Sequence, residues 1–280
     1  MIMNILEAIV LGIIEGITEF LPVSSTGHLT IAEKLLGLPI DDKGVTAFTA
    51  IVQTGAVLAT VLYFRKDIVS IVGGWLRGLL TPSERKHHEY RFAWAVIVGS
   101  IPIAVIGLLF KDQIETTLRS LWFVAFALIG WSAVMWYADR YAKQNRHEST
   151  VTWKDTLIVG AAQCIALIPG VSRSGATMSA GLLRGIDRLA VTRLSFFLAI
   201  PALLAAGLLQ TVTEYDQISH SVGWAPTIVA TVVSFMVAYG AVAWLLRFIA
   251  KHDYTVFVVY RLAAGGLLLI LLVTGAISAT

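Results

Sequence analysis

Six stretches of the chain are almost wholly apolar over about 20 residues: roughly 45–64, 91–110, 120–138, 189–211, 225–246 and 257–278. That is the length a helix needs to cross hydrocarbon, so each stretch predicts a transmembrane helix. Segments 1–36 and 153–185 are apolar too, but a polar loop breaks each of them in the middle. Neither half of a broken segment is long enough to span comfortably. Helix-breaking Pro, Gly and Ser cannot face lipid with unpaired backbone groups, so the breaks must line a protein cavity. The pattern predicts two re-entrant helical hairpins, each entering and leaving on the same side. The expected fold is an all-α integral membrane protein with six transmembrane helices plus two re-entrant helical hairpins.

The two breaks are related. Pro22-Val23-Ser24-Ser25-Thr26-Gly27-His28 and Gly170-Val171-Ser172-Arg173-Ser174-Gly175-Ala176 align with one offset of 148, from Ser24 to Ser172. The same offset lays Gln163 on Glu15, Ile165 on Ile17, Val171 on Val23 and Gly160 on Gly12. The chain therefore reads as one membrane domain, 1–280, made of repeat one (1–138, with its re-entrant hairpin at 1–36) and repeat two (153–280, with its re-entrant hairpin at 153–185). Each repeat holds three crossings, an odd number, so the second copy is expected upside down relative to the first. In such an inverted-topology repeat the two hairpin tips meet near the middle of the membrane, where two matching breaks point to a binding site.

Composition agrees. Of 280 residues, 57% are hydrophobic and 14% charged, against about 25% charged in ordinary soluble domains. The net charge of +3 is modest, and its basic residues sit in short loops, which gives no support to nucleic-acid binding. Cys164 is the single cysteine, so no disulfide framework exists, and it stands where the other copy has Gly16. No Lys or Arg precedes the apolar N-terminus and Glu7 interrupts it, which argues against a cleaved signal peptide. Connections 65–90, 139–154 and 247–256 carry the Lys and Arg, including Arg65, Lys66, Arg140, Lys143, Arg247 and Lys251. The positive-inside rule makes these cytoplasmic and expects both termini outside. The alternate connections are poorer: 111–119 has Lys111 and Arg119, and 212–224 has Glu214 and Asp216 instead.

The candidate chemistry lies in the loops. Glu15 and Glu19 are four apart on a predicted helix and share a face. Adjacent carboxylates at membrane depth repel unless one is protonated or a cation lies between them. Ser24-Ser25-Thr26-Gly27 precedes a second helix as a good N-cap, and a helix N-terminus with free N–H groups suits phosphate oxygens. His28 adds a proton donor or acceptor. Ser172, Arg173, Ser174, Gly175 and Thr177 repeat the capping logic and add a guanidinium, which binds phosphate bidentately. A salt bridge from Arg173 to Glu15 or Glu19 is the structural alternative. Gln53 interrupts an apolar span and is a candidate cavity residue. His87, His88, His147, His220 and His252 fall in loops and read as solvated.

Glu15-Gly-Ile-Thr-Glu19-Phe-Leu-Pro-Val-Ser-Ser-Thr-Gly-His28 resembles the first signature of the undecaprenyl-diphosphate phosphatases of the bacitracin-resistance (BacA/UppP) type. Pro169-Gly-Val-Ser-Arg173-Ser-Gly-Ala-Thr177 resembles the second. The resemblance covers essentially the whole chain. It implies hydrolysis of undecaprenyl diphosphate to undecaprenyl phosphate and inorganic phosphate at the outer face of the bacterial plasma membrane, and dependence on a divalent cation, usually magnesium. The family's glutamates, serine, histidine and arginine fall on Glu15, Glu19, Ser25, His28 and Arg173.

Together these readings make Glu15 and Glu19 the expected metal ligands and Ser25, His28, Glu19 and Arg173 the catalytic set. Ser24, Thr26, Gly27, Ser172, Ser174, Gly175 and Thr177 are the expected substrate-binding residues. Ser25 would attack the terminal phosphorus with His28 or Glu19 as base, while attack by water or by His28 itself stays open. The expected partners are a polyprenyl diphosphate lipid and the bilayer, with a homodimer left open. The competing reading is a polyprenyl-phosphate flippase or ion-coupled transporter, because inverted repeats with broken helices also serve alternating access.

Overall fold

The computed structural model describes residues 3–110 and 120–279. The expected connection 111–119, with Lys111 and Arg119, lies outside the described residues. In chain order the helices are α1 (Ile5–Thr18), α2 (Ser25–Leu35), α3 (Lys43–Tyr63), α4 (Arg65–Leu80), α5 (His88–Leu109) and α6 (Leu121–Tyr141). After these come α7 (Trp153–Gln163), α8 (Arg173–Leu183), α9 (Arg188–Thr213), α10 (Tyr215–His220), α11 (Trp224–Ile249) and α12 (Thr255–Val273). Among the described residues six helices are long and apolar enough to cross a membrane: α3, α5, α6, α9, α11 and α12. They coincide with the six expected spans, and the chain is a multi-pass membrane protein.

The broken segments are each a helix, a break and a second helix. Asn4 caps α1, accepting from the Leu6 and Glu7 N–H groups while the Glu7 carboxylate accepts from the Asn4 N–H, so Glu7 is a capping residue. Thr152 and Asp155 make the same reciprocal cap on α7. Two stretches read as connections contain helix: the short α10 lies within 212–224, and the longer departure is in the first half. The stretch 65–90, read as a connection, contains α4, whose charged residues keep it below the apolarity of a span while Ile68, Val69, Val72, Leu76 and Leu79 give it an apolar face. A 3-10 turn at Pro82–Lys86 then folds the chain so that Gly74 and Gly78 of α4 lie against Glu89 and Tyr90.

Helix contacts between the two halves of the chain are made by small residues. α1 lies on α11, where a Cβ added at Gly12 would fall 2.5 Å from the Ala230 carbonyl oxygen. α7 lies on α5, where a Cβ at Gly160 would collide with the Gly99 carbonyl oxygen. Without a hydrophobic drive between helices in lipid, such close backbone approach is what makes the packing favourable. α3 and α9 pack together between these pairs, and α6 packs on α12. A central aromatic cluster of Phe20, Phe64, Phe92, Phe196 and Phe197 joins the first break to α3, α5 and α9 by edge and tilted ring contacts.

The polar loops opposite the breaks are tied by ion pairs. Asp155, nearly fully buried, accepts from Arg146 at 2.6 Å and Arg184 at 3.0 Å. Burial pushes its carboxyl up, but hydrogen bonds from Arg146, Thr152 and Arg184 outweigh that and hold it well below the usual carboxylate range. Arg193 bridges Glu148 and Asp67, fastening the start of α4 to α9.

Candidate active site

Both breaks turn on a serine in a conformation that non-glycine residues avoid. Ser24 has φ 76° and Ser172 has φ 77°. Each caps the following helix, Ser24 Oγ accepting from the Gly27 N–H at 3.3 Å and Ser172 Oγ from the Gly175 N–H at 3.1 Å. A positive φ at a residue with a Cβ costs about 1–2 kcal/mol and persists only when the surroundings over-determine it. The surroundings are the other loop. Ser24 Oγ also accepts from the Gly170 N–H at 3.0 Å, and Ser174 Oγ donates to the Leu21 carbonyl at 2.9 Å. The two breaks therefore face and bind one another directly.

Across this junction runs a continuous polar chain. Ser25 Oγ donates to Glu19 Oε2 at 2.5 Å, and Glu19 Oε1 accepts from Arg173 Nη2 at 3.2 Å. Arg173 Nη1 donates to the Ser195 carbonyl at 3.0 Å, and the guanidinium lies 5.4 Å from the centre of the buried Phe20 ring. Glu19 is 5% exposed, and its partner Arg173 is nearly as well buried. The ion pair anticipated as the structural alternative is thus present, and it is joined to a hydroxyl that the same carboxylate can deprotonate. Glu15 is 1% exposed beside Glu19, and its Oε1 is buried with no hydrogen-bond partner among the described residues.

The site opens into a cavity of about 460 Å³. Glu19, Ser24, Ser25, Thr26, Ser172 and Arg173 line its polar end, and α3, α5 and α9 supply mostly apolar walls. Gln53 is on the wall of α3, as anticipated. Other expected site residues stand behind the surface. Gly27 and Gly175 spend their N–H groups on the capping serines, and Ser174 holds Leu21. Thr177 Oγ1 lies 2.7 Å from Ser195 Oγ, beneath Arg173.

Both ring nitrogens of His28 are engaged by partners other than Ser25 and Glu19. Its Nδ1 lies 2.7 Å from the Ser24 carbonyl oxygen and its Nε2 2.6 Å from the Tyr260 hydroxyl, with the two rings stacked at 5.5 Å. A carbonyl only accepts, so Nδ1 carries the proton there, and Nε2 pairs with the Tyr260 hydroxyl, which can donate or accept.

Sequence reasoning passed over Arg261. It is fully buried on α12 and donates to the carbonyls of Pro22 at 3.3 Å, Gly170 at 2.9 Å and Ala127 at 3.2 Å, and to Ser132 Oγ at 3.2 Å. Pro22 and Gly170 are the same position in the two breaks, so one guanidinium staples both loops by equivalent carbonyls. Its signal was available as an arginine inside an apolar span. Ser195 carried no such signal.

Fold and site together define a polytopic membrane protein whose polar centre is assembled from two paired loops. Residues 8–267 match the sequence profile of the family described as bacitracin resistance protein BacA, and the chain belongs to that family. It is 66% identical over 278 residues to undecaprenyl-diphosphatase 3 of Frankia casuarinae, an alignment covering 99% of this chain and 100% of the relative. It is 53% identical over 278 residues to undecaprenyl-diphosphatase 1 of Streptomyces avermitilis, covering 99% of both chains. With undecaprenyl-diphosphatase of Cutibacterium acnes it shares 52% identity over 284 residues, covering 99% of this chain and 100% of the relative.

Proposed function

We propose that the chain is an undecaprenyl-diphosphate phosphatase, hydrolysing undecaprenyl diphosphate to undecaprenyl phosphate and inorganic phosphate. This recycles the lipid carrier of cell-wall synthesis and confers resistance to bacitracin. The observation that carries the chemistry is the Ser25, Glu19 and Arg173 chain at the polar end of a cavity with apolar walls. Phosphoryl transfer asks the protein mainly for positioning and charge stabilisation, and these residues offer a nucleophile, a proton acceptor and a cation in contact.

In the first step Ser25 Oγ bonds to the terminal phosphorus as its proton passes to Glu19 Oε2. The bond from that phosphorus to the bridging oxygen breaks, and its electron pair leaves on undecaprenyl phosphate, which takes up the proton from Glu19. Water then attacks the phosphoserine while Glu19 accepts its proton and returns one to Ser25 Oγ, releasing phosphate. Arg173 stabilises the charge that spreads over the phosphoryl oxygens. The 2.5 Å contact to Ser25 favours Glu19 over His28 as the base. His28, bonded to the Ser24 carbonyl, holds the loop in its strained turn.

The donor set suits a hard divalent cation such as Mg²⁺. Glu15 keeps a buried carboxylate oxygen with no partner among the described residues, and Glu19 lies beside it. Among the described residues no group of three or more His, Cys, Asp and Glu is placed to hold an ion. The two carboxylates would therefore share it with substrate oxygens, as Mg²⁺ sites commonly do. When bound, the cation would neutralise diphosphate charge.

We read the architecture as an inverted-topology repeat with re-entrant hairpins 1–36 and 153–185. The matched positive-φ serines, the matched carbonyls on Arg261 and the matched seats of Gly12 and Gly160 support it. The active site then opens to the outer face with both termini outside, because the cavity lies toward the ends of α3, α5 and α9 remote from the basic loops. Undecaprenyl lies along the apolar walls. The test is purified protein in detergent with a polyprenyl diphosphate, with and without magnesium. Phosphate release that depends on Ser25 and leaves a trapped phosphoserine is the expected result, and full activity in Ser25→Ala would refute the two-step route.

A further inference from the structure

Gln163 ends α7 at the position that matches Glu15 in the other copy. It is fully buried, it lines the cavity, and both its amide nitrogen and its amide oxygen lack a hydrogen-bond partner among the described residues. An amide buried with neither end satisfied is an uncommon and unfavourable arrangement in a folded protein. On the cavity wall it is explained by a ligand that offers an acceptor and a donor together.

We infer that Gln163 recognises the terminal phosphate of the lipid diphosphate through both ends of its amide. This rests on the phosphatase reading and adds a specificity residue to it. The terminal phosphate has two ionisable oxygens, the second losing its proton near pH of about 6, as in other phosphate monoesters. Around neutrality it presents charged oxygens to accept from Nε2 and, in its singly protonated form, a P–OH to donate to Oε1. The inner phosphate, esterified to the lipid and bridged to its neighbour, has one ionisable oxygen, always charged, and no proton to give. A phosphate capped by another group loses its P–OH in the same way. The pairing therefore selects an uncapped end phosphate, and the released inorganic phosphate shares its chemistry.

The experiment compares wild type, Gln163→Leu and Gln163→Glu as full-length protein in detergent. Rates are taken on a polyprenyl diphosphate, with inorganic phosphate as competitor, across a pH series. The leucine variant is expected to raise KM about tenfold with kcat within about threefold of wild type, and to weaken inhibition by phosphate by a similar factor. In the glutamate variant KM, relative to wild type, should fall as the pH is lowered, because protonation restores a donor and removes a charge facing the phosphate. That pH signature decides the matter if the leucine variant does not fold. Wild-type KM and wild-type phosphate inhibition in the folded variants, with no pH-dependent difference, would overturn the inference. Wild-type protein that releases no phosphate would instead bring down the phosphatase reading, which keeps the two failures apart.

Discussion

Replacing Glu19 by glutamine tests the centre of the site, because one carboxylate serves Ser25 with one oxygen and Arg173 with the other. The substitution keeps the shape and can keep both hydrogen bonds, with the amide oxygen accepting from Arg173 and the amide nitrogen donating to Ser25. It removes the proton acceptor and the charge. Loss of a positioned base costs about 10²–10⁴ in rate, so turnover should fall about 10³-fold, equivalent to about 4 kcal/mol of barrier. Stranding a buried guanidinium costs about 3–5 kcal/mol when its partner is deleted, and the retained dipole places Glu19→Gln near the low end, about 3 kcal/mol. Thermal unfolding in detergent should register that loss. Adding Arg173→Gln removes the stranded charge, so the double variant should recover about 2 kcal/mol relative to the sum of the single effects. Its activity should stay as low as that of the worse single variant, since residues acting as a unit are not additive in catalysis. Turnover by Glu19→Gln within tenfold of wild type would refute Glu19 as the base, and additive stabilities would refute the coupling.

Further outcomes follow from other contacts. If His28 works by holding the Ser24 carbonyl, His28→Asn, which offers an N–H near the same place, should keep about tenfold more activity than His28→Ala; equal losses would point to ring titration instead. Gly160→Val drives methyl groups into the Gly99 carbonyl and should lower the melting temperature or abolish folding, whereas Gly107→Val, at a position where a Cβ would meet nothing among the described residues, should be tolerated. Asp155→Asn should destabilise by about 1.5–2 kcal/mol at neutral pH, because the buried carboxylate's charge-assisted bonds from Arg146 and Arg184 are lost while the two partly exposed guanidiniums regain water. The Asp155 carboxyl titrates below its unfolded value, so its stabilisation is present above the ordinary carboxylate range and disappears as pH falls through the depressed value. The gap in melting temperature between wild type and Asp155→Asn should hold steady from pH 8 to about 5 and close only in strong acid.

The spans and the two breaks could be read from the chain because bilayer thickness and backbone hydrogen bonding leave a membrane segment few options. Glu15, Glu19, Ser25 and Arg173 could be picked out because ionisable and helix-breaking residues are rare in such segments. What escaped was pairing at long range. Nothing local to His28 points to Tyr260, which engages its Nε2, and nothing local to Gln163 says that its amide lacks partners among the described residues. Arg261 was visible as an anomaly, but its task, joining carbonyls of Pro22 and Gly170, exists only after folding. α4 was missed because an amphipathic helix lying outside the spans carries as much charge as a loop.

The hydrogen bond from the Gly170 N–H to Ser24 Oγ joins residues 146 positions apart. During synthesis the first loop is therefore made long before its counterpart, and Ser24 cannot be locked in its turn until the ribosome has delivered the second. Activity should appear late in biogenesis, which spares the growing chain a half-formed hydrolytic centre in the membrane. The same dependence makes the protein divisible: two halves cut between α6 and α7 and produced together should find each other and regain activity, while either half alone stays inert.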